Sequence, residues 1–349
     1  MINRISHIES VSTDPRQNLA LEEALFFHCA EDECILYLWQ NQNTVVIGKN
    51  QNAWKECDVN KLEAEGGVLV RRMSGGGAVY HDTGNLNFTF LCCKENYDVD
   101  RQLEVIICAL KKFGIDAKKT GRNDITVHGQ KISGNAFYER GRRCYHHGTI
   151  MMDVDMEKLS RYLTVSKQKL QSKGIDSVKS RVTNLKSHAA GITAATLKLR
   201  LIEAFEEVYG KSAEPLAQEA LDQAQIAELT RKYGSWDWTL GRKIDFQYEI
   251  SKMFDLGQLA LQIRVNGGMI EDINVFSDFM DPNIAEEIGA GLMGLRHDKH
   301  QVYDALKKIS AGSRSGVYGE AGGSCNGRDI FMDRRSGLNF RRKQPALKK

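Results

Sequence analysis

The sequence predicts an α+β protein: a large mixed α/β region over roughly the first 240 residues, then a small α+β region. Three observations predict it. Over the first 150 residues short apolar runs alternate with helical stretches. A punctuated segment, Gly234-Ser235-Trp236-Asp237-Trp238-Thr239-Leu240-Gly241-Arg242, interrupts the chain, and beyond it three strand-like runs precede two helical ones. At 349 residues and 42% hydrophobic content the chain is long enough to build two cores rather than one.

The elements follow in order. Asp14-Pro15 is a helix-start signal with proline in the first turn, ahead of a helical stretch from Asn18 to His28. Ile35 to Trp39, Thr44 to Gly48 and Val68 to Arg72 read as strands. So does Asn85 to Cys93, where Leu86, Phe88 and Phe90 alternate with Asn85, Asn87 and Thr89, the period of a strand with one buried face. Arg101 to Phe113 is helical. From Thr164 to Asn184 the apolar period weakens among Ser, Lys and Gly, which predicts a long exposed loop of the kind that often carries function. Helical patterns resume at Thr193 to Tyr209 and Gln218 to Tyr233. A domain boundary is expected at 235–245. After it, Phe246 to Phe254, Leu259 to Val265 and Met269 to Phe276 are strands, the last two joined at Asn266-Gly267-Gly268 by a hairpin-type turn. Helices are expected around Pro282 to Met293 and Lys299 to Ile309, and disorder from Ala311 onward, where Gly, Ser and Arg crowd and periodicity is lost.

Charge excludes some functions. The net charge is +3, but residues 311–349 hold nine Lys/Arg against three Asp/Glu, so that tail is +6 and everything before it −3. A folded body of net negative charge gives little support to nucleic-acid binding, which draws on clustered cations. The eight cysteines form no C-x-x-C pair and no zinc-ligand spacing, and read as reduced thiols. The start, Met-Ile-Asn-Arg-Ile-Ser-His, has no apolar signal core, and no segment approaches the ~20 apolar residues of a membrane helix. A cytoplasmic protein with no membrane partner is expected.

Four segments are candidates for chemistry. In Arg71-Arg72-Met73-Ser74-Gly75-Gly76-Gly77-Ala78-Val79-Tyr80-His81-Asp82 the glycines permit close backbone approach to an anionic ligand. Neither nucleotide fingerprint is present: Tyr80 stands where a dinucleotide loop ends in glycine, and Phe205 stands where a Walker loop ending in Gly210-Lys211-Ser212 begins with one. In Gly121-Arg122-Asn123-Asp124-Ile125 and Gly129-Gln130-Lys131-Ile132-Ser133-Gly134-Asn135-Ala136, a lysine stands among turns and small residues. A fixed cation at Lys131 would bridge a carboxylate and an α-phosphate as they react, and Asp124 offers a hard oxygen for Mg²⁺. In Cys144-Tyr145-His146-His147-Gly148-Thr149 adjacent residues of a strand face opposite ways, so one histidine faces ligand and one is structural. A Cys144 nucleophile would need a further orienting group. Last, Lys173 to Leu185 combines small hydroxyl residues, cations and a glycine, and would close over a nucleotide. Each segment alone is as readily a turn or a solvated charge.

In this order, and together with Trp39, Thr44-Val45-Val46-Ile47-Gly48 and Asn52-Ala53-Trp54-Lys55-Glu56-Cys57, the segments resemble the lipoate-protein ligase A family over roughly residues 10–310. The resemblance implies a catalytic domain of the biotin/lipoate ligase type over 1–240, an accessory domain over 241–310 and the basic tail 311–349. It implies two reactions in one site: lipoate and ATP form lipoyl-AMP and pyrophosphate, and a lysine of an acceptor domain then takes the lipoyl group as an amide. Lys131 would be catalytic and touch both halves of lipoyl-AMP. Arg72, Gly77, Ala78, Val79 and Tyr80 would contact the adenylate, with Ser177, Val178, Ser180, Arg181, Thr183 and Asn184 covering it. Ser74, Gly75, Gly76, Gly77, His81, Gly134 and His147 would bind lipoate, and Asp124 would hold Mg²⁺. The acceptors implied are the lipoyl domains of 2-oxo acid dehydrogenase complexes and the glycine-cleavage H protein. Met73 and the Gly/Ser/Arg tail depart from the family pattern. The competing readings are a lipoyl transferase that cannot use ATP, a biotin ligase, and a non-catalytic module that senses lipoyl-AMP or binds nucleic acid. Against the last, the catalytic region is expected to begin almost at the first residue, with no DNA-binding domain expected ahead of it.

Overall fold

The structure, a computed structural model, describes residues 1–121, 123–164, 182–254, 256–312 and 341–342. It divides into two units. The first holds 1–47, 53–72 and 78–239; the second holds 48–52, 73–77 and 240–349.

In the first unit the chain runs β1 (Arg4–Glu9), α1 (Pro15–His28), β2 (Glu33–Trp39), β3 (Thr44–Ile47), α2 (Ala53–Glu56), α3 (Val59–Ala64), β4 (Val68–Arg71), β5 (Val79–His81), β6 (Asn85–Cys93), α4 (Val99–Lys111), β7 (Ala117–Thr120), β8 (Asp124–Val127), β9 (Gln130–Arg140), β10 (Arg143–Met151), α5 (Met156–Tyr162), α6 (Ala194–Tyr209), β11 (Ala213–Pro215), α7 (Gln223–Gly234) and α8 (Trp236–Thr239). The main sheet has the order β11-β1-β2-β6-β10-β9-β8-β7, and β4-β3-β5 form a second, small sheet. Asp14 caps α1 through Arg16 N, and Thr193 and Thr196 close a reciprocal box at the start of α6; such caps contribute about 1 kcal/mol each. The helical pattern expected from Gln218 opens as a 3-10 turn over Gln218–Ala220, and the α-helix proper begins at Gln223, capped by Asp222.

One face of the main sheet is apolar. Leu36, Leu38, Leu86, Phe88, Phe90 and Ile150 pack there with Leu103, Ile106 and Leu110 of α4 and Leu197, Leu201 and Phe205 of α6. The opposite face carries Asn85, Asn87 and Thr89, and here the structure corrects the expectation of a strand with one buried face: all nine residues of β6 are buried. Polar residues alternate with apolar ones because the sheet separates an apolar layer from a buried polar one. Helix α1 covers the polar layer with Asn18 and Glu22, themselves buried.

The second unit has β12 (Tyr248–Phe254), β13 (Gly257–Asn266) and β14 (Met269–Ser277) as an antiparallel meander, joined by β15 (Arg341–Arg342) on β12, with α9 (Asn283–Leu292) and α10 (Lys299–Gly312). Gly267 and Gly268 take φ of 57° and 82°, the left-handed pair that a two-residue hairpin requires. Leu261, Ile263, Ile273, Ile288, Leu292 and Val302 form its core. The loop expected over 164–184 falls at 165–181 outside the described residues, as does nearly all of the tail. Among the described residues no helix is long and apolar enough to cross a membrane.

Two histidines are locked in the interior of the first unit. Burial lowers both His81 and His146 to about 3. In the unfolded chain they titrate near 6.5, so below that pH the unfolded state binds protons that the folded state refuses, and stability is lost as pH falls from 6.5 toward 3. Each ring contributes a slope of at most about 1.4 kcal/mol per pH unit. Urea midpoints measured at pH 7.5, 6.5 and 5.5 should therefore fall slightly over the first interval and about three times as far over the second; an unchanged midpoint at pH 5.5 would show that the rings are not held neutral.

Candidate active site

The polar layer is a connected network. Glu22 Oε1 accepts from Thr89 Oγ1 at 2.7 Å and lies 2.9 Å from His147 Nδ1, while Trp39 Nε1 donates to Thr89 Oγ1 at 3.1 Å. Asn41 Nδ2 lies 3.2 Å from His81 Nδ1, and Asn41 accepts in turn from Asn18 Nδ2 at 2.9 Å. Arg72 is buried beside this network and donates to the carbonyl of Val46 at 3.2 Å. Burial lowers its guanidinium to about 10, with Tyr145 and Glu22 acting the other way, so it remains a cation at neutral pH. His81 stays neutral because it is desolvated first and lies near Arg72 and His147 second. Two atoms of the layer, His81 Nε2 and Asn87 Nδ2, are buried without a hydrogen-bond partner among the described residues. Orphaned buried donors and acceptors are rare and costly, and an absent ligand is one ordinary reason for them.

Lys131 reaches the same face. A Cβ added to Gly134 would lie 2.8 Å from Lys131 Nζ and 4.0 Å from Thr149 Oγ1, so the lysine crosses the bare backbone of Gly134 on the side of Thr149. Thr149 stands opposite Asn87 in the β10–β6 register. Lys131 Nζ pairs with Asp124 Oδ1 at 2.7 Å, the two side chains being 32% and 36% exposed. The chain returning from 165–181 meets this lysine: Val182 bridges Lys131, and Thr183 N donates to Lys131 O at 3.0 Å.

The other sequence candidates fall in several places. Tyr80 turns away, donating to Asn43 Oδ1 at 3.1 Å and packing on Tyr162 with ring centroids 5.6 Å apart. Its neighbours Val79 and His81 point to the other side of β5, and Ala78 is half-buried. Asn184 clasps the backbone of Val154 through both amide atoms, at 3.0 Å each. Arg71 binds the carbonyls of Trp238 and Thr239 at 2.8–3.1 Å and is structural. Ser74, Gly75 and Gly76 are buried in the second unit, where Gly76 N donates to Phe279 O at 2.9 Å, whereas Gly77 is exposed. Ser177, Val178, Ser180 and Arg181 lie outside the described residues. His146 and His147 point to opposite faces of the sheet, His146 into the apolar layer. Burial pushes the Cys144 thiol up to about 12, which leaves it a poor nucleophile. Among the described residues no group of three or more His, Cys, Asp or Glu is placed to hold a metal ion.

Sequence reasoning missed Glu22, Asn41, Asn87 and Thr89. The signal for the last two was present in the polar half of β6, and for Glu22 in a carboxylate on the buried side of α1.

Residues 14–206 match the lipoyl protein ligase A/B catalytic domain, and 243–316 match the bacterial lipoate protein ligase C-terminus. The chain is 41% identical over 312 residues to lipoate-protein ligase A of Psychrobacter cryohalolentis, covering 86% of this chain and 92% of the relative. Among solved structures it is similar to LipL1 of P. falciparum in complex with lipoate, at 32% identity and a TM-score of 0.76, covering 87% of this chain and 94% of that one. It is also similar to a lipoate-protein ligase A bound with ATP, at 25% identity and a TM-score of 0.59, covering 69% of this chain and 99% of that one.

Proposed function

The chain belongs to the lipoyl protein ligase A/B family, and from that premise we propose that it is an ATP-dependent lipoate-protein ligase whose adenylation step is organised by Lys131. The lipoate carboxylate attacks the α-phosphorus of ATP, pyrophosphate leaves, and lipoyl-AMP remains bound. The amine of an acceptor lysine then attacks the acyl carbon and AMP leaves. Both reactants of the first step are anions. A fixed ammonium between them lowers the repulsion where charge builds up, and it does so most effectively where water is excluded.

The observation that carries this reading is the place of Lys131 Nζ: over Gly134, on the side of Thr149, on the face that holds His81 Nε2 and Asn87 Nδ2, two buried atoms with no hydrogen-bond partner among the described residues. Lys131 bridges the carboxylate and the α-phosphate. Arg72, a buried cation, and the backbone of Gly77, Ala78, Val79 and Tyr80 contact the adenylate; the Tyr80 side chain takes no part. Ser74 to Gly77, His81, Gly134 and His147 are assigned to lipoate. Ser177, Val178, Ser180, Arg181, Thr183 and Asn184 cover the adenylate and keep water from the mixed anhydride. The return of the chain at Val182 and Thr183 onto the Lys131 backbone supports that assignment.

Mg²⁺ fits this donor set. It takes one or two carboxylates together with phosphate oxygens and water, and Asp124 is a partly exposed carboxylate beside the catalytic cation. When bound it would neutralise phosphate charge; Asp124 would hold it. We assign 1–240 to the catalytic domain and 241–310 to the accessory domain, with action in the cytoplasm on lipoyl domains of 2-oxo acid dehydrogenase complexes and on the glycine-cleavage H protein.

The test is exchange of labelled pyrophosphate into ATP. Exchange that requires lipoate is the expected result. No exchange, with transfer from supplied lipoyl-AMP intact, would make the protein a transferase instead.

A further inference from the structure

A chain of buried polar side chains crosses the apolar face of the sheet and ends at the turn that carries Asp124. It begins on α4, where Oε1 of the fully buried Gln102 lies 3.0 Å from His146 Nδ1. His146 is fully buried among Phe88, Phe90 and Phe137, whose rings lie 5.5, 6.1 and 5.0 Å from its own. Its Nε2 lies 2.8 Å from Asn135 Oδ1. Asn135 Nδ2 donates to Asn123 O at 3.0 Å, which fixes the amide with its oxygen toward the ring. Asn135 N also donates to Asn123 O at 2.9 Å, and Asn123 Nδ2 returns a bond to Asn135 O at 3.0 Å. Gly148 leaves room for this amide, since a Cβ there would lie 2.5 Å from Asn135 Oδ1. The next residue after Asn123 is Asp124, the partner of Lys131.

Two features separate this chain from ordinary core packing. In stability, an imidazole and two amides in an aromatic cage gain little over hydrophobic residues of similar volume, because each must first be desolvated. And the bonds converge on one short turn, gripping Asn123 three times, while the neighbouring Lys118 and Asp116 pair in open solvent with side chains 72% and 79% exposed. We propose that His146 and Asn135 are positioning residues: acting through Asn123, they hold the Asp124 carboxylate where it orients the Lys131 ammonium over Gly134. The inference rests on the role given to Lys131 above. It assigns the first histidine of the pair a function distinct from that of His147, which faces the polar layer.

The experiment measures the Asp124–Lys131 pair directly. Brief acetylation with an amine-reactive acetate ester, followed by peptide mass spectrometry, reads the labelling rate of Lys131 against Lys118 in the same molecule. Asp124→Asn gives the rate of the unpaired lysine. Asn135→Ala should raise Lys131 labelling severalfold toward that rate, with Lys118 unchanged, and should add nothing in the Asp124→Asn background. His146→Phe, which keeps the aromatic packing and removes the bond to Asn135, is the second variant and should behave alike. Adenylation turnover per folded molecule should fall about tenfold in both, again without further loss in the Asp124→Asn background. Wild-type labelling of Lys131 in either variant, confirmed as folded, or effects that simply add to those of Asp124→Asn, overturns the proposal. A wild-type protein without pyrophosphate exchange would instead overturn the ligase reading, and the labelling result would still decide whether the chain positions Lys131.

Discussion

Lys131→Ala is expected to lower lipoate-dependent pyrophosphate exchange by about 10²–10³-fold, the loss seen when one electrostatic contact to a developing charge is removed. The same substitution should leave the unfolding temperature close to that of the parent. Both halves follow from the surroundings of the side chain. Lys131 and Asp124 are each about one-third exposed, and Asp124 Oδ1 is buried at its contact with the lysine, so deleting the lysine opens that oxygen of a partly exposed carboxylate to water. The strand itself is held by backbone pairing of β9 to β8 and β10, which an alanine preserves. Stability and chemistry are therefore separable at this position, as they are not at Arg72, whose buried guanidinium is part of the packing. Exchange assays on purified protein, with a thermal melt of the same sample, check the prediction. A variant that keeps exchange within a few-fold of the parent would remove Lys131 from the adenylation step.

The elements were legible because their patterns are local. The period of two in Asn85 to Cys93, the Asp14-Pro15 start and the Asn266-Gly267-Gly268 turn all stand in the structure at the residues that predict them. What the polar residues of β6 face was not legible. Alternation reports two faces, and it cannot distinguish water from a second, buried layer built by Glu22 and Asn18 of a helix far earlier in the chain. The site had the same division. Lys131, His81 and His147 could be singled out by type and motif, but the partners that give them an environment, Glu22, Asn41 and Thr89, come from separate segments of the chain and carry no motif of their own. Tyr80 and Asn184 show the converse: a residue inside a motif, with its side chain committed to Asn43 or Val154.

The glycine run calls for a different argument from the one its sequence invites. Gly75→Ala is expected to destabilise the second unit by about 3 kcal/mol, the upper range for overpacking. A Cβ at that position would lie 2.1 Å from Phe279 O, 2.5 Å from Met280 O and 2.8 Å from Met280 C. All three are backbone atoms, which cannot swing aside as the end of a side chain does, and the bond from Gly76 N to Phe279 O at 2.9 Å ties the same two segments together. Gly48 packs from another direction, its missing Cβ leaving only 2.3 Å to Gly76 O, so glycine faces glycine across this contact. The absence of a side chain at Gly75 is thus required by the protein's own backbone before any ligand arrives. Gly77 is the internal control. It is exposed, a Cβ there meets nothing within 4 Å, and Gly77→Ala should unfold at the parent's denaturant concentration. If the two alanine variants have equal midpoints, the close approach of 73–77 to Phe279 and Met280 is not a feature of the folded protein, and the whole run would return to being a ligand loop. If they differ as expected, the run divides: the protein's own backbone requires glycine at position 75 and does not require it at position 77.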